Sequence, residues 1–181
     1  MTEAKVTLST LAEADREQFI LDNQWAFKHG AMIEFGMRDD HMEEDGEIIS
    51  RKTIEDCIDD EQNETYRIVV DGRNVGGVVL KIDKETRHNH LELFFVAPEE
   101  HSKGIGYGAW QEIEALHPET LIWETCTPCF EKRNIHFYVN KCGFHIVEFY
   151  NKFHIDPHCP VEDRCDGDEA DEMFRFVKVM K

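Results

Sequence analysis

Apolar and polar positions alternate and cluster along the chain in a way that predicts a mixed fold. Lys5 to Leu8 reads as a short first strand. Asp15 to His29 follows as a helix, with Phe19, Trp25 and Phe27 as core contacts. Ile48 to Ile58 reads as a second helix, because Ile54 and Ile58 stand four residues apart. Tyr66 to Val70 is a strand, Asp71-Gly72 a hairpin-like turn, and Asn74 to Ile82 the returning strand. His90 to Val96 is a further strand, stopped at Pro98, which supplies no ladder donor. Ile105, Ala109, Ile113 and Leu116 form one stripe of a helix over Ile105 to Leu116. Leu121 to Thr125 is a strand, Glu131 to Cys142 a helix ended by Gly143, and Phe144 to Tyr150 and Met173 to Val179 the last two strands. The meander requires antiparallel pairing, and the strand–helix–strand units around 91–125 and 121–150 require parallel pairing with right-handed crossovers. The class is therefore α/β or α+β: a mixed, mostly antiparallel twisted sheet flanked by helices.

Length and composition narrow the picture. The chain has 181 residues, with 20 Lys plus Arg against 38 Asp plus Glu, a formal net charge of −18. One domain over residues 1–181 is expected, long enough to fold without a disulfide or metal staple. No apolar run approaches the ~20 residues that span a bilayer, and no secretory signal is visible, so no membrane association and a cytoplasmic location are expected. The charge argues against nucleic acid, whose phosphates need clustered Lys and Arg, and agrees with a cationic small molecule or peptide as partner. The acidity is concentrated: Arg38 to Glu64 holds twelve carboxylates against three bases. The six cysteines read as reduced thiols.

Chemistry is concentrated in Val96-Ala-Pro-Glu-Glu-His-Ser-Lys-Gly-Ile-Gly-Tyr-Gly108. This segment leaves a strand, turns, and enters a helix through Gly104 and Gly106. Glycines let a backbone approach a ligand closely, and the first N–H groups of a helix have no internal partner. Together they suit a phosphate or pyrophosphate, with Lys103 adding a cation at the rim. A tight turn with no ligand explains the glycines alone equally well. No Walker loop is present, and the mid-chain position after a meander does not fit a dinucleotide-binding fingerprint.

Three ordered pieces resemble the GNAT superfamily of N-acetyltransferases. Phe94-Phe-Val-Ala-Pro98 resembles the family's fourth strand and its Val-x-Pro ending. His101-Ser-Lys-Gly-Ile-Gly106 resembles its Gln/Arg-x-x-Gly-x-Gly/Ala pyrophosphate loop. Asn134 to Phe144 resembles the helix that ends in Tyr-x-x-x-Gly-Phe. The resemblance implies acetyl-CoA as co-substrate and a primary amine, of a small molecule or peptide, as acceptor. It implies a cofactor site at Phe94, Phe95, Val96, His101, Ser102, Lys103, Gly104, Ile105, Gly106, Tyr107 and Asn134. It implies Glu92, His90 and Tyr138 as catalytic groups; a homodimer is compatible with it. Each residue also has a plainer reading: His90 as a polar strand-end residue, Glu92 as a hydrogen-bonded carboxylate, Tyr138 as core, Asn134 as a solvated first-turn residue.

Two positions depart from the family pattern. His101 stands where the family has Gln or Arg. Val139, not a tyrosine, stands four residues before Gly143. Tyr138 then points about 100° off the family direction unless the helix absorbs an extra residue. His90, Glu92, Phe94 and Val96 are expected on one strand face. A catalytically weak CoA-binding or protein-interaction module on the same fold is the alternative. A zinc site joining Cys126 and Cys129 to His158, Cys159 or Cys165 is a weaker third reading, and no metal ligands are assigned.

Overall fold

The computed structural model describes residues 5–34, 46–158 and 172–181. Among the described residues, seven strands form one sheet in the order β1-β2-β3-β4-β5-β7-β6. They are β1 Val6–Thr10, β2 Asn63–Val70, β3 Arg73–Lys81, β4 His88–Val96, β5 Ile122–Pro128, β6 His145–Tyr150 and β7 Met173–Val179. The helices are α1 Arg16–Lys28, α2 Arg51–Asp59, α3 Ile105–Leu116 and α4 Lys132–His136. α1 continues as a π-helical turn over His29–Glu34, and α4 as another over Phe137–Cys142. Among the described residues, no helix is long and apolar enough to cross a membrane.

Local chemistry explains the first half. Asp71 and Gly72 both take positive φ, which a two-residue hairpin needs to match strand twist. Ser50 caps α2 by accepting the Thr53 N–H at 3.0 Å, so this helix begins at Arg51 rather than at Ile48. Asp83 accepts N–H groups of Glu85 and Thr86, both at 2.9 Å, and closes the turn that lets β4 start at His88, two residues before the expected point.

The two faces of the sheet carry separate cores. α3 and α4 cover one face, where Trp110, Ile113, Tyr138, Cys142 and Phe144 pack with Val78, Leu80, Leu91, Trp123 and Phe176. α1 and α2 cover the other through Phe19, Ile20, Ala26 and Ile54 against Val79, Leu93 and Phe95. Full burial of a side chain such as Phe19 is worth about 1.5–3 kcal/mol. Trp25 does not join this core: it is 53% exposed.

The expected parallel pairing holds for β4 with β5 only. β6 does not pair with β5; β7 enters between them, antiparallel to both. The chain's last strand fills that place, and no local pattern around residues 121–150 announces it.

Candidate functional site

The site begins where a ladder stops. β4 and β5 are in register only at His88 with Ile122, Asn89 with Trp123 and His90 with Glu124, although both strands run on. The cause lies in β4. Leu91 pairs with Leu80 and Leu93 with Val79, which leaves Glu92 as an extra residue, a β-bulge. A bulge bends its strand and increases the local twist, so β4 diverges from β5 beyond His90.

The bulge also corrects the expected facing. Phe94 lies on the α3/α4 side with Val78, whereas His90 pairs with Lys81 on the α1/α2 side. His90 and Phe94 are therefore on opposite faces. The Glu92 carboxylate is exposed and acts electrostatically on Cys57 of α2, on His90 and on Cys126 of β5. It belongs to the α1/α2 side of the gap.

The glycine-rich loop stands at the other end of β4. Ser102 and Gly104 take positive φ, and Gly104 forms the cap of α3, its carbonyl accepting the Gly108 N–H at 3.0 Å. The N–H groups of Ile105, Gly106 and Tyr107 precede the first intrahelical donor, so they are offered to a ligand. At Gly106 a Cβ would lie 3.4 Å from the Phe137 ring and 3.8 Å from Phe94, rings that themselves stack at 5.7 Å. The Phe95 and Ile105 side chains are buried in the cores, so only their backbone is available to a ligand; Tyr107 is exposed.

His101 stands at the loop position where the family pattern has Gln or Arg. Its Nε2 lies 2.8 Å from the Val96 carbonyl, and its Nδ1 meets the Arg133 guanidinium of α4. A guanidinium only donates, so Nδ1 accepts and Nε2–H donates to Val96. The neutral ring ties the loop to the end of β4 and holds Arg133 beside it. Lys103 does not offer a free charge: it pairs with Glu100 at 2.8 Å, and that carboxylate also meets Arg73 at 3.3 Å. Asn134 donates to Glu131.

The helix before Gly143 resolves the tyrosine position. Gly143 N–H donates to the Tyr138 carbonyl, five residues back, so the Phe137–Cys142 turn is π-helical and absorbs the extra residue. Tyr138 turns inward against Phe144 and Phe176, with its hydroxyl meeting the Thr125 side chain. Thr125 in turn donates to the Leu91 carbonyl at 3.0 Å, across the point where β4 and β5 separate. Burial pushes the Tyr138 phenol well above its ordinary value, so it stays protonated at neutral pH.

A charged group beside the bulge was not anticipated from the sequence. Arg175 of β7 holds Glu124 at 2.7 and 2.8 Å and reaches Glu148 at 3.3 Å. His88 Nε2 lies 2.9 Å from Glu124, and the His88 and His90 rings stack at 5.2 Å. Burial lowers the pKa of His90. The criterion that singled out Glu92, a carboxylate inside an apolar strand, applies equally to Glu124 in Ile122-Trp-Glu-Thr-Cys126. Arg133 and Arg175 carried no such signal. Of the weaker zinc ligands, Cys126 is exposed and Cys129 partly buried, while Cys159 and Cys165 lie outside the described residues.

The site thus combines a parallel strand pair that parts at a bulge with a glycine-rich helix start. The model of the acetyltransferase (GNAT) family matches residues 18–144. The chain belongs to that family. This GNAT chain is 48% identical over 182 residues to "Uncharacterized protein YrkN" of Bacillus subtilis (strain 168), covering 99% of this chain and 96% of that one. Its fold matches the ribosomal-protein-S18-alanine N-acetyltransferase from Escherichia coli with a TM-score of 0.67 at 12% identity, covering 97% and 94% of the two chains. It matches the PaiA N-acetyltransferase from Thermoplasma acidophilum, in complex with coenzyme A, with a TM-score of 0.65 at 17% identity, covering 99% and 100%. It also matches spermidine N-acetyltransferase from Vibrio cholerae, in complex with CoA and spermine, with a TM-score of 0.65 at 16% identity, covering 97% and 95%.

Proposed function

We propose that this GNAT protein transfers an acetyl group from acetyl-CoA to a primary amine. The observation that carries the reading is the gap between β4 and β5, opened by the bulge at Glu92, together with the glycine-rich start of α3, whose Gly106 lies against Phe94 of β4. The unpaired N–H groups at Ile105, Gly106 and Tyr107 suit the pyrophosphate of the co-substrate. The strand edges left free beyond the ladder suit the amide groups of its extended arm, as an added strand would be held. A thioester lying in the gap meets Glu92 and His90 on one side of the sheet and Tyr138 on the other.

Glu92 accepts the proton of the acceptor ammonium, directly or through water, with His90 as the neighbouring alternative base. The freed amine forms the new C–N bond at the acetyl carbonyl carbon. The C–S bond breaks, the thiolate takes the Tyr138 proton, and the surplus proton left on the new amide nitrogen is lost through solvent, which returns a proton to the Tyr138 oxygen. General acid–base help of this kind is worth about 10²–10⁴-fold each. The acceptor is the amine of a cationic small molecule or peptide, supported by the net charge of −18. Part of the acidic run has local duties: Glu47, Asp59 and Asp60 pair with Lys28, Arg16 and Lys81. Asp39, Asp40, Glu43 and Glu44 lie outside the described residues.

The test is calorimetric titration with acetyl-CoA, followed by thiol release across a panel of amines. Binding with amine-dependent thiol release supports the reading. Absence of binding ends it.

A further inference from the structure

Among the described residues, His88, His90 and Glu124 are the group whose ligand atoms all lie within 4.8 Å of one another. We infer that these three side chains form a binding site for a divalent transition-metal ion of the zinc type, at the last rung of the β4–β5 ladder.

The backbone builds the site. His88 and His90 stand two residues apart on β4, so both project on the α1/α2 side before the bulge reverses the alternation. Their rings stack with 13° between planes, and one ring nitrogen of each lies within 4.8 Å of the other and of a Glu124 oxygen. Glu124 is the register partner of His90 on the neighbouring parallel strand and supplies the third donor. Two imidazoles and one carboxylate are a donor set suited to zinc and its neighbours, with remaining positions left to water. The 2.9 Å between His88 Nε2 and Glu124 Oε2 is close to the edge of a coordination sphere with bonds of ~2.0–2.1 Å. The ion would take the place of the hydrogen bond between those two atoms, with His88 ligating through the Nε2 lone pair and its ring proton carried on Nδ1.

The surroundings fit a cation. Glu124 is 6% exposed, and Arg175 fixes its carboxylate from β7, the second partner that ligand carboxylates usually have. Arg175 is itself shared with Glu148, so one guanidinium lies between two carboxylates and the local balance stays negative. Glu92 adds a further negative charge, while Lys81, opposite His90, is drawn toward Asp60 at 3.3 Å. Each carboxylate oxygen has a second lone pair, so the Arg175 bonds and a metal bond can coexist on Glu124.

Occupancy would tie β4 to β5 just below the gap and remove His90 from proton transfer. This consequence rests on the proposed reaction, but the site does not.

The experiment reads metal binding without any turnover. Protein lacking a histidine tag is freed of metal by chelation and titrated with Co²⁺, followed by calorimetry and visible absorption. The expected result is one Co²⁺ per chain with bands of nitrogen and oxygen ligands. His88→Ala and His90→Ala should each weaken binding roughly tenfold or more, with circular dichroism unchanged. Both are tested because both rings are partly buried. Cys126→Ser with Cys129→Ser should leave binding intact. Three results would overturn the inference: no saturable binding, binding unaffected in both histidine variants, or a thiolate-to-cobalt band lost with the cysteines. Since none involves acetyl-CoA, failure of the metal site and failure of the proposed reaction are separable.

Discussion

Gly143 donates its backbone N–H to the carbonyl of Tyr138, and this five-residue step sets the direction of the tyrosine side chain. An α-helical turn would join Gly143 to Val139 instead. Under the proposed role of Tyr138 as general acid, Tyr138→Phe should retain acetyl-CoA binding. It should slow thiol release by about 10²-fold or more. A variant that binds and turns over normally would assign the hydroxyl to packing alone.

Glu92 is exposed and lies in a bulge, so its side chain contributes little to the fold. Glu92→Gln should therefore keep the thermal midpoint within a few degrees while lowering kcat by about 10²–10⁴-fold. Calorimetry on the same variant should return an unchanged acetyl-CoA affinity. If kcat is unaffected, the base lies elsewhere.

The loop should depend on its backbone more than on its side chains. Gly106→Ala meets only ordinary contact with Phe137 and should bind acetyl-CoA. Gly106→Trp runs into Phe137 and Phe94 and should abolish binding. His101→Ala loses the tie to Val96 and the support of Arg133, but none of the helix N–H groups. A modest loss of affinity, under about tenfold, is expected. An equal loss in folded His101→Ala and Gly106→Trp proteins would contradict the backbone-centred account.

Arg67 is 3% exposed and holds Asp15 at 2.5 and 3.2 Å and Asp22 at 2.8 Å, with its guanidinium over the Phe19 ring. Removing one partner of a buried ion pair costs about 3–5 kcal/mol; with both aspartates partly solvated, Arg67→Ala should fall at the lower end. Urea unfolding measures it. A loss below about 1 kcal/mol would show that the pairs are already screened.

Asp59, Asp60, Asp83, Glu100 and Glu148 are all held below their ordinary carboxylate values. The first causes are the Arg16 bond, the Gln62 N–H, the Thr86 N–H, the Lys103 bond and the His154 bond respectively. A lowered folded pKa gives stability that is present above the unfolded pKa, about 4, and lost as pH falls through the folded value. The thermal midpoint should hold down to about pH 5 and decline below pH 4. Asp83→Asn should flatten part of that decline.

The strands, three of the helix spans, the hairpin turn and the glycine loop were legible because each rests on local chemistry. Alternation, stripes, Asp71-Gly72 and Gly104 act within a few residues of themselves. Glu92 was legible as a carboxylate out of place, and Tyr138 as a tyrosine one residue from where the family resemblance puts it. What the tertiary structure alone decided depends on partners distant in sequence. The bulge at Glu92 exists only relative to Val79 and Leu80, and it moved His90 to the face opposite Phe94. The entry of β7 between β5 and β6 placed Arg175 against Glu124, 51 residues away. Arg133 reached the loop only through His101, 32 residues earlier. A strand's period assigns a side chain to one of two faces, but register and strand order decide which face and which neighbours. Those are settled by packing over the whole sheet.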